Sequence, residues 1–200
     1  MTDHYYSRNQ QVESNPKFWN FSLRGHEFRF KTDNGVFSKA EVDFGSRLLI
    51  ETFKPSDDQG IILDVGCGYG PIGLSLGKCF PNATVHMVDV NERALGLSNE
   101  NAKLNNISNV QIYQSDCLTS VTEKGFTDIL TNPPIRAGKN IVHEIFEQSF
   151  SHLKPGGSLW VVIQKKQGAP SAQDKLMELF GNAEIVGKKK GYFIIKAIKG

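Results

Sequence analysis

The sequence is poor in cysteine and in long apolar runs. Its three cysteines, Cys67, Cys79 and Cys117, include no Cys-x-x-Cys pair, which argues against a disulfide framework and a thiolate metal site. The longest apolar stretches, such as residues 159–163, are far shorter than the ~20 residues that cross a bilayer. The first residues show no basic segment followed by an apolar one. We therefore expect a cytoplasmic protein with no secretory signal, no membrane association and no metal.

Charge is almost balanced over the chain but unevenly distributed. Residues 56–135 hold 4 Lys/Arg against 9 Asp/Glu, whereas residues 136–200 hold 11 against 5. An acidic centre beside a basic C-terminal third suits a small-molecule pocket next to a surface that meets a polyanion. A solvated surface explains the same charges. The lysine run at residues 188–190 falls at a predicted hairpin tip and is interpreted as a solvated turn.

Short β-rich runs alternate with helical patterns from residue 60 onward. Helices are predicted to begin near Pro71, Asn91 and Val142. The repeated β-α-β order predicts an α/β fold with a mostly parallel sheet and helices on both faces. Residues 183–186 and 192–198 are joined by a connection of hairpin length, which predicts an antiparallel C-terminal pair. The other predicted strands are residues 61–65, 83–88, 110–113, 126–130 and 158–163.

Residues 1–55 do not follow this alternation and are rich in aromatic residues. We interpret them as a β-rich N-terminal extension, ending in a helix capped by Asp43, that packs on a core formed by residues 56–200. The whole chain is then a single domain. Interleaved aromatic and basic side chains in this extension suit either RNA contact or cover for the sheet, and the pattern does not choose between them. These side chains are Tyr5, Tyr6, Arg8, Lys17, Phe18, Trp19, Arg24 and Arg29.

A glycine-rich loop between the first core strand and its helix is the strongest local signal. Residues 63–70 read Leu-Asp-Val-Gly-Cys-Gly-Tyr-Gly, and the glycines let the backbone approach a ligand. Residues 68–73 also match the Gly-x-Gly-x-x-Gly pattern of dinucleotide sites. Asp64 argues against a dinucleotide, because a carboxylate at the strand end would repel a pyrophosphate. It favours a ligand with an ammonium group and no phosphate, such as S-adenosylmethionine.

Two further carboxylates follow the next two strands. Asp89 ends the second strand, where a carboxylate can accept the ribose hydroxyls of a nucleoside. Asp116 follows the third strand, where it is placed to meet an adenine amino group. Each of the three aspartates could instead cap a helix, but together with the glycine loop they predict an S-adenosylmethionine site. The other predicted cofactor-binding residues are Gly66, Cys67, Gly68, Gly70, Val90, Cys117 and Asn132.

Asn132-Pro133-Pro134 follows the fourth strand, at the edge where open α/β sheets bind ligands. The prolines fix the backbone and push Asn132 to an extended conformation. We expect this turn to present an amide oxygen and a free backbone carbonyl to the N–H groups of an sp² amine. Two acceptors favour a pyramidal nitrogen with its lone pair aimed at a methyl donor, so positioning carries the reaction. All three residues are therefore predicted to be catalytic.

These motifs resemble those of class I S-adenosylmethionine-dependent methyltransferases, and most of all the RsmC-like guanine-N2 methyltransferases of small-subunit ribosomal RNA. The likeness runs from about residue 35 to the C-terminus and includes residues 35–38 and 43–49. It implies a Rossmann-like fold with a seven-stranded sheet, methylation of a guanine in 16S rRNA and S-adenosylhomocysteine as product. It also implies that Phe37 lies against cofactor and base, and that Ile135 and Arg136 contact the substrate.

Two departures from that family leave alternatives open. Ile135 stands where members usually carry a stacking aromatic residue, so adenine N6 or a protein glutamine amide remains an alternative target. The 200 residues also lack the degenerate N-terminal copy that two-domain members use for RNA recognition. Substrate binding would then fall to the first 35 residues, a second subunit of a homodimer or another protein. A non-catalytic module that binds S-adenosylmethionine or a nucleotide is the alternative from another class.

Overall fold

The computed structural model describes residues 13–36 and 40–200. It contains a seven-stranded sheet flanked by helices and a separate two-stranded hairpin. The strands are β1 (Lys17–Leu23), β2 (His26–Thr32), β3 (Ile61–Val65), β4 (Thr84–Asp89), β5 (Val110–Gln114), β6 (Phe126–Thr131), β7 (Leu153–Gln164), β8 (Glu184–Lys189) and β9 (Tyr192–Ile198). The helices are α1 (Phe44–Thr52), α2 (Pro71–Cys79), α3 (Glu92–Leu104), α4 (Lys139–His152) and α5 (Ala169–Phe180), with 3₁₀ turns at Ile135–Ala137 and Lys165–Gln167.

The main sheet has the strand order β5-β4-β3-β6-β7-β9-β8. Strands β3 to β7 are parallel, and β9 runs antiparallel to both β7 and β8. The predicted mostly parallel sheet with an antiparallel C-terminal hairpin is confirmed. The chain winds outward from β3 through β4 and β5 and then returns to β6 on the other side of β3. This reversal leaves a crevice at the carboxyl ends of β3 and β6, where open α/β sheets bind ligands.

Both faces of the sheet are covered by helices, as predicted. Consecutive residues of a strand point to opposite faces, so Ile62 and Leu63 belong to different core clusters. Helices α1, α2 and α3 pack on one face, and α4 and α5 pack on the other. Every residue of β6 is buried, as is typical of a central parallel strand. Each fully buried side chain such as Leu74 or Phe146 contributes about 1.5–3 kcal/mol relative to exposure.

The C-terminal elements are longer than the sequence patterns predicted. Strand β7 begins at Leu153, five residues before the predicted start, because Leu153 pairs with Phe126 of β6. Gly156 and Gly157 continue the strand through backbone hydrogen bonds with Lys199 (2.7 and 2.9 Å). Strand β8 continues to Lys189, so the connection to β9 is only Lys190-Gly191. Both turn residues have positive φ (49° and 78°), the geometry of a two-residue hairpin turn.

The N-terminal hairpin packs beside the main sheet instead of joining it. Asn101 of α3 and Asn105, which caps the end of that helix, bond the backbone of Lys31 and Arg29 through their carboxamides, at 2.7–3.0 Å. These bonds satisfy the edge of β2. The Trp19 ring packs against the buried ring of Phe30, with 5.2 Å between the ring centroids. This part of the extension therefore covers the core.

The side chain of Arg24 donates to the carbonyls of Ile50 and Phe53 at the end of α1 (2.7 and 2.8 Å). Arg24 therefore has a structural role. Tyr5, Tyr6 and Arg8 lie outside the described residues. None of the helices in the described part of the chain is long and apolar enough to cross a membrane.

Candidate active site

A cavity of about 540 Å³ opens at the carboxyl edge of the sheet, beside the reversal at β3. Its volume lies in the range of small-molecule sites. The glycine loop and the ends of β4 and β5 form one side, and the Asn-Pro-Pro turn forms the other. The predicted site residues that line it are Gly66, Cys67, Gly68, Asp89, Val90, Asp116, Cys117, Asn132, Pro133, Pro134, Ile135 and Arg136.

Two predicted site residues have a different placement, and a third is not described. Asp64 and Gly70 are not part of the cavity lining. Phe37 lies outside the described residues. Their cofactor contacts, and the base contact of Phe37, stay predictions.

The glycine loop uses its N–H groups internally. The N–H groups of Gly66 and Cys67 donate to the carbonyl of Val88 (both 2.9 Å), and that of Gly68 donates to Asp89 Oδ2 (2.8 Å). Gly66 and Gly68 have φ of 76° and 58°, which glycine adopts without strain. Since these N–H groups do not face the cavity, the loop does not form the anion cradle that a dinucleotide pyrophosphate requires.

Asp64 lies beneath the loop with no exposed surface. Its Oδ2 accepts the N–H of Gly73 in the first turn of α2 (2.8 Å), and its Oδ1 has no partner. Burial raises the pKa of this carboxyl to about 7, and the nearby charge of Asp89 adds to the rise. The observed role of Asp64 is therefore to anchor the start of α2.

The other predicted aspartates and cysteines line the cavity. Asp89 accepts the N–H of Gly68 on one oxygen and that of Asn91 on the other (2.8 and 2.9 Å), and burial raises its pKa. Asp116 is exposed at the cavity mouth. Burial raises the pKa of the Cys117 thiol to about 12 and that of Cys67 well above its usual value. Both thiols are therefore protonated at neutral pH and act as wall groups, since only a thiolate is a strong nucleophile.

The Asn132 side chain is held from the start of α1. Its Nδ2 donates to Asp43 Oδ2 and to Ser46 Oγ, both at 3.1 Å. Asp43 Oδ2 also accepts the N–H of Ser46 (3.0 Å) and so caps the helix. A reversed carboxamide would set its oxygen against the Asp43 carboxylate, so the contacts fix the orientation. Both amide hydrogens are used, which leaves Oδ1 to accept a hydrogen bond.

The proline carbonyls each accept a hydrogen bond within the turn and the 3₁₀ helix that follows it. The carbonyl of Pro133 accepts the N–H of Ile135, and that of Pro134 accepts the N–H of Ala137, both at 2.9 Å. Pro134 has φ −75° and ψ 80°, which is an inverse γ-turn. The carbonyls of both prolines are therefore already engaged, and each oxygen keeps one lone pair for another donor. That the turn presents a backbone carbonyl to the substrate amine stays a prediction.

Sequence reasoning missed several residues that line the cavity. The sequence predicts only a helix-capping role for Asp43, and it predicts no role for Ser46. Both bind Asn132 across more than 80 positions of sequence, and no local pattern indicates such a contact. Gln167 and Tyr192 also line the cavity from the C-terminal region. Their position follows from the pairing of β7 with β9, which a pattern of single strands does not specify.

Comparison with known proteins identifies the family. The family described as "Methyltransferase small domain" matches residues 27–196 of the chain. The chain belongs to this family. A Bacillus subtilis protein named "Uncharacterized protein YbxB" is 62% identical over 200 residues, the full length of both chains.

Named ribosomal RNA methyltransferases match along about half of their own length. Ribosomal RNA small subunit methyltransferase C of Vibrio cholerae is 33% identical over 92% of this chain and 53% of its own. Ribosomal RNA large subunit methyltransferase G of Shewanella loihica is 32% identical over 86% of this chain and 46% of its own. The solved structure of the T. thermophilus 16S rRNA N2 methyltransferase RsmC, in complex with AdoMet and guanosine, matches with a TM-score of 0.83 and 25% identity. That match covers 96% of this chain and 52% of the other.

These comparisons confirm the resemblance to RsmC-like class I methyltransferases and S-adenosylmethionine as the cofactor. The cavity of this methyltransferase fits that cofactor. Carboxylates at Asp89 and Asp116 suit a nucleoside with positive charge, and the inward-bonded loop suits a ligand without phosphate. We expect the 66–68 loop, Asp89 with Val90, and Asp116 with Cys117 to hold it.

Proposed function

We propose that this methyltransferase methylates the exocyclic N2 amine of a guanine in 16S ribosomal RNA. The single observation that carries the proposal is the orientation of Asn132, whose Nδ2 is bound by Asp43 and Ser46 so that Oδ1 can accept an amine N–H. The likeness to a 16S rRNA N2 methyltransferase, over 96% of this chain, supports guanine as the base. A cytoplasmic location, where ribosomal RNA is assembled, belongs to the same proposal.

Asn132 addresses the low reactivity of such an amine. The lone pair of an exocyclic amine is delocalised into the base, so the nitrogen is a poor nucleophile. A hydrogen bond from its N–H to Asn132 Oδ1, with the remaining lone pair of the Pro133 carbonyl as a second acceptor, favours the pyramidal form and fixes the lone-pair direction. S-adenosylmethionine, when bound, supplies an electrophilic methyl group on a sulfonium. The chain then contributes position and charge complementarity, and no strong base is needed before transfer.

Two residues that follow the turn complete the proposed base site. Ile135 is half-buried in the cavity wall and offers apolar contact to a base. Arg136 lines the cavity from an exposed position, where its cation can meet a phosphate of the same nucleic acid. Ile135 supplies no ring for stacking, so the selection of guanine has to come from the hydrogen bonds to its edge.

A guanine of the large ribosomal subunit is the second candidate. It is favoured by the relatives named ribosomal RNA large subunit methyltransferase G, one of which is 32% identical to this chain, against 33% for the small-subunit relative. Adenine N6 and glutamine amides share the same chemistry at Asn132 and remain outcomes of the test.

The test is methyl transfer from tritiated S-adenosylmethionine to ribosomal subunits of a strain that lacks the gene. The proposal predicts label in N2-methylguanosine of 16S rRNA. Label in large-subunit RNA would select the second candidate, and label in N6-methyladenosine or in protein would reject guanine.

Asn132→Ala is the matching variant, and Asn140→Ala, at an exposed position in the first turn of α4, is its control. We expect Asn132→Ala to keep its affinity for S-adenosylmethionine by calorimetry while turnover falls by orders of magnitude. Asn140→Ala should retain both. Binding of S-adenosylmethionine without any transfer by the wild-type chain would indicate a non-catalytic module.

A further inference from the structure

Five exposed lysines lie together at the carboxyl edge of the sheet. They come from two segments, residues 165–166 after β7 and residues 188–190 at the β8–β9 turn. The N–H of Lys165 donates to the carbonyl of Gly191 (2.8 Å), and Gln164 pairs with Tyr192 in the β7–β9 register. These contacts place the two segments side by side. We name this cluster the lysine rim.

The lysine rim adjoins the cavity directly. Gln167 and Tyr192, which flank the two segments, line the cavity wall. The Tyr192 ring lies 5.4 Å from the ring of Phe44, and Lys190 Nζ lies 5.1 Å from the same Phe44 ring. Phe44 follows Asp43, which binds Asn132. The rim therefore begins where the wall of the proposed base site ends.

The positive charge of the rim is not neutralised within the described part of the chain. The ion pairs found within 4.0 Å among the described residues join Lys31 to Glu100 and Lys175 to Glu147 and Glu178. None of these pairs involves a lysine of the rim. Like charges held together without acidic partners repel one another and attract a polyanion.

The cavity has the opposite electrostatic character. Asp43, Asp89 and Asp116 line it, and the one Lys or Arg among its described lining residues is Arg136, at an exposed position. A cationic cofactor suits the acidic interior, whereas the rim suits an anionic chain. A nucleic acid fits both features at once, because it can place one base in the cavity while the adjoining phosphates reach the rim.

We propose that the lysine rim binds the phosphates of the RNA strand next to the target base, an inference that rests on the proposed function. Lysine ammonium groups bind phosphates as point charges and do not read sequence, so the rim supplies affinity and orientation. This surface differs from the N-terminal aromatic residues that the sequence offered for RNA contact. It also changes the interpretation of residues 188–190 as a solvated turn.

The test compares two variants that each remove three positive charges. Lys165, Lys166 and Lys189 are changed to Gln in the rim variant. Lys54, Lys103 and Lys124 are changed to Gln in the control variant. The control lysines are exposed at the opposite edge of the sheet, after α1, at the end of α3 and before β6. Affinity for a 16S rRNA transcript is measured by fluorescence anisotropy at several salt concentrations.

Each phosphate contact contributes about 0.7 to the slope of log affinity against log salt for single strands. Loss of three contacts should therefore lower the slope by about 2 and the affinity about 100-fold at roughly 0.1 M salt. The control variant should stay within about twofold of the wild type, and an Arg version of the rim variant should restore binding. Equal effects of the rim and control variants, or no effect of either, would overturn the proposal.

The test separates failure of the rim from failure of the proposed function. Binding of the transcript is measured without methyl transfer, and affinity for S-adenosylmethionine is followed by calorimetry in both variants. A wild-type chain that binds RNA through the rim but methylates no ribosomal RNA would refute only the proposed function. A rim variant that binds naked RNA normally but no longer binds the assembled subunit would assign the rim to a protein and reject RNA.

Discussion

Replacement of Asp64 by Asn should change how stability depends on pH. The carboxyl has no exposed surface, one hydrogen bond from Gly73 and an unpartnered Oδ1. Burial raises its pKa from 3.8 to about 7. The folded chain therefore holds a proton that the unfolded chain releases between these two values.

The magnitude follows from the shift of about three pKa units. One unit corresponds to 1.36 kcal/mol, so Asp64 costs about 4 kcal/mol of folding stability once the pH exceeds 7. The unfolding free energy falls with rising pH because the unfolded state binds fewer protons than the folded state. This loss of stability occurs between about pH 4 and about pH 7, and the Asp64 contribution is constant at higher pH. The carboxamide of the Asp64→Asn variant does not titrate, so the variant lacks this loss.

The assay is urea unfolding of both proteins between about pH 4 and about pH 8, followed by the fluorescence of Trp19 and Trp160. The variant should gain about 4 kcal/mol relative to the wild type across this range. The difference in unfolding free energy between the two proteins removes the contributions of the other titrating groups. The change of this difference with pH also removes any constant cost of the buried amide. Asp58→Asn, at an exposed position, controls for loss of a carboxylate. A difference that stays constant with pH would refute the protonated state of Asp64.

Three substitutions and one labelling experiment probe the site and its support. Ser46→Ala removes one of two anchors of Asn132, so kcat should fall about fivefold, the equivalent of one hydrogen bond near 1 kcal/mol, with unchanged affinity for S-adenosylmethionine in calorimetry. Gly70→Ala should lower the free energy of unfolding by about 1–3 kcal/mol in urea titration, because φ is 105° and the new Cβ would lie 2.7 Å from Leu74 Cδ1. Asn101→Ala leaves the Lys31 backbone unpaired, so hydrogen exchange at that amide should speed up. Cys117 should resist alkylation at neutral pH until urea unfolds the chain, and rapid labelling of the native state would contradict its raised pKa.

The order of the elements was predictable because each carries a local signal. Apolar runs indicated the strands, and Pro71 and Asn91 mark helix starts that the structure confirms. The early start of β7 was not predictable, because it depends on the pairing of Leu153 with Phe126 and on backbone hydrogen bonds of Gly156 and Gly157 with Lys199, about 40 positions away. Local patterns do not contain such a pairing.

The positions of those site residues that directly follow or end a strand were predictable from the sequence. Parallel strands end at one edge, so Asp89, Asp116 and Asn132 had to converge there. The anchoring of Asn132 by Ser46 depends on how α1 packs, and the lysine rim depends on the pairing of β7 with β9. Asp64 was predictable as a strand-end carboxylate, but its burial beneath the loop follows from the path of three positive-φ glycines.

The most direct test of the central claim is a crystal structure with S-adenosylhomocysteine and guanosine bound. It should show the exocyclic amine of guanosine about 2.9 Å from Asn132 Oδ1, with Nδ2 still bonded to Asp43 and Ser46. An amine bound elsewhere in the cavity, or a carboxamide that directs its nitrogen toward the base, would contradict the assignment of Asn132 as the acceptor that prepares the amine.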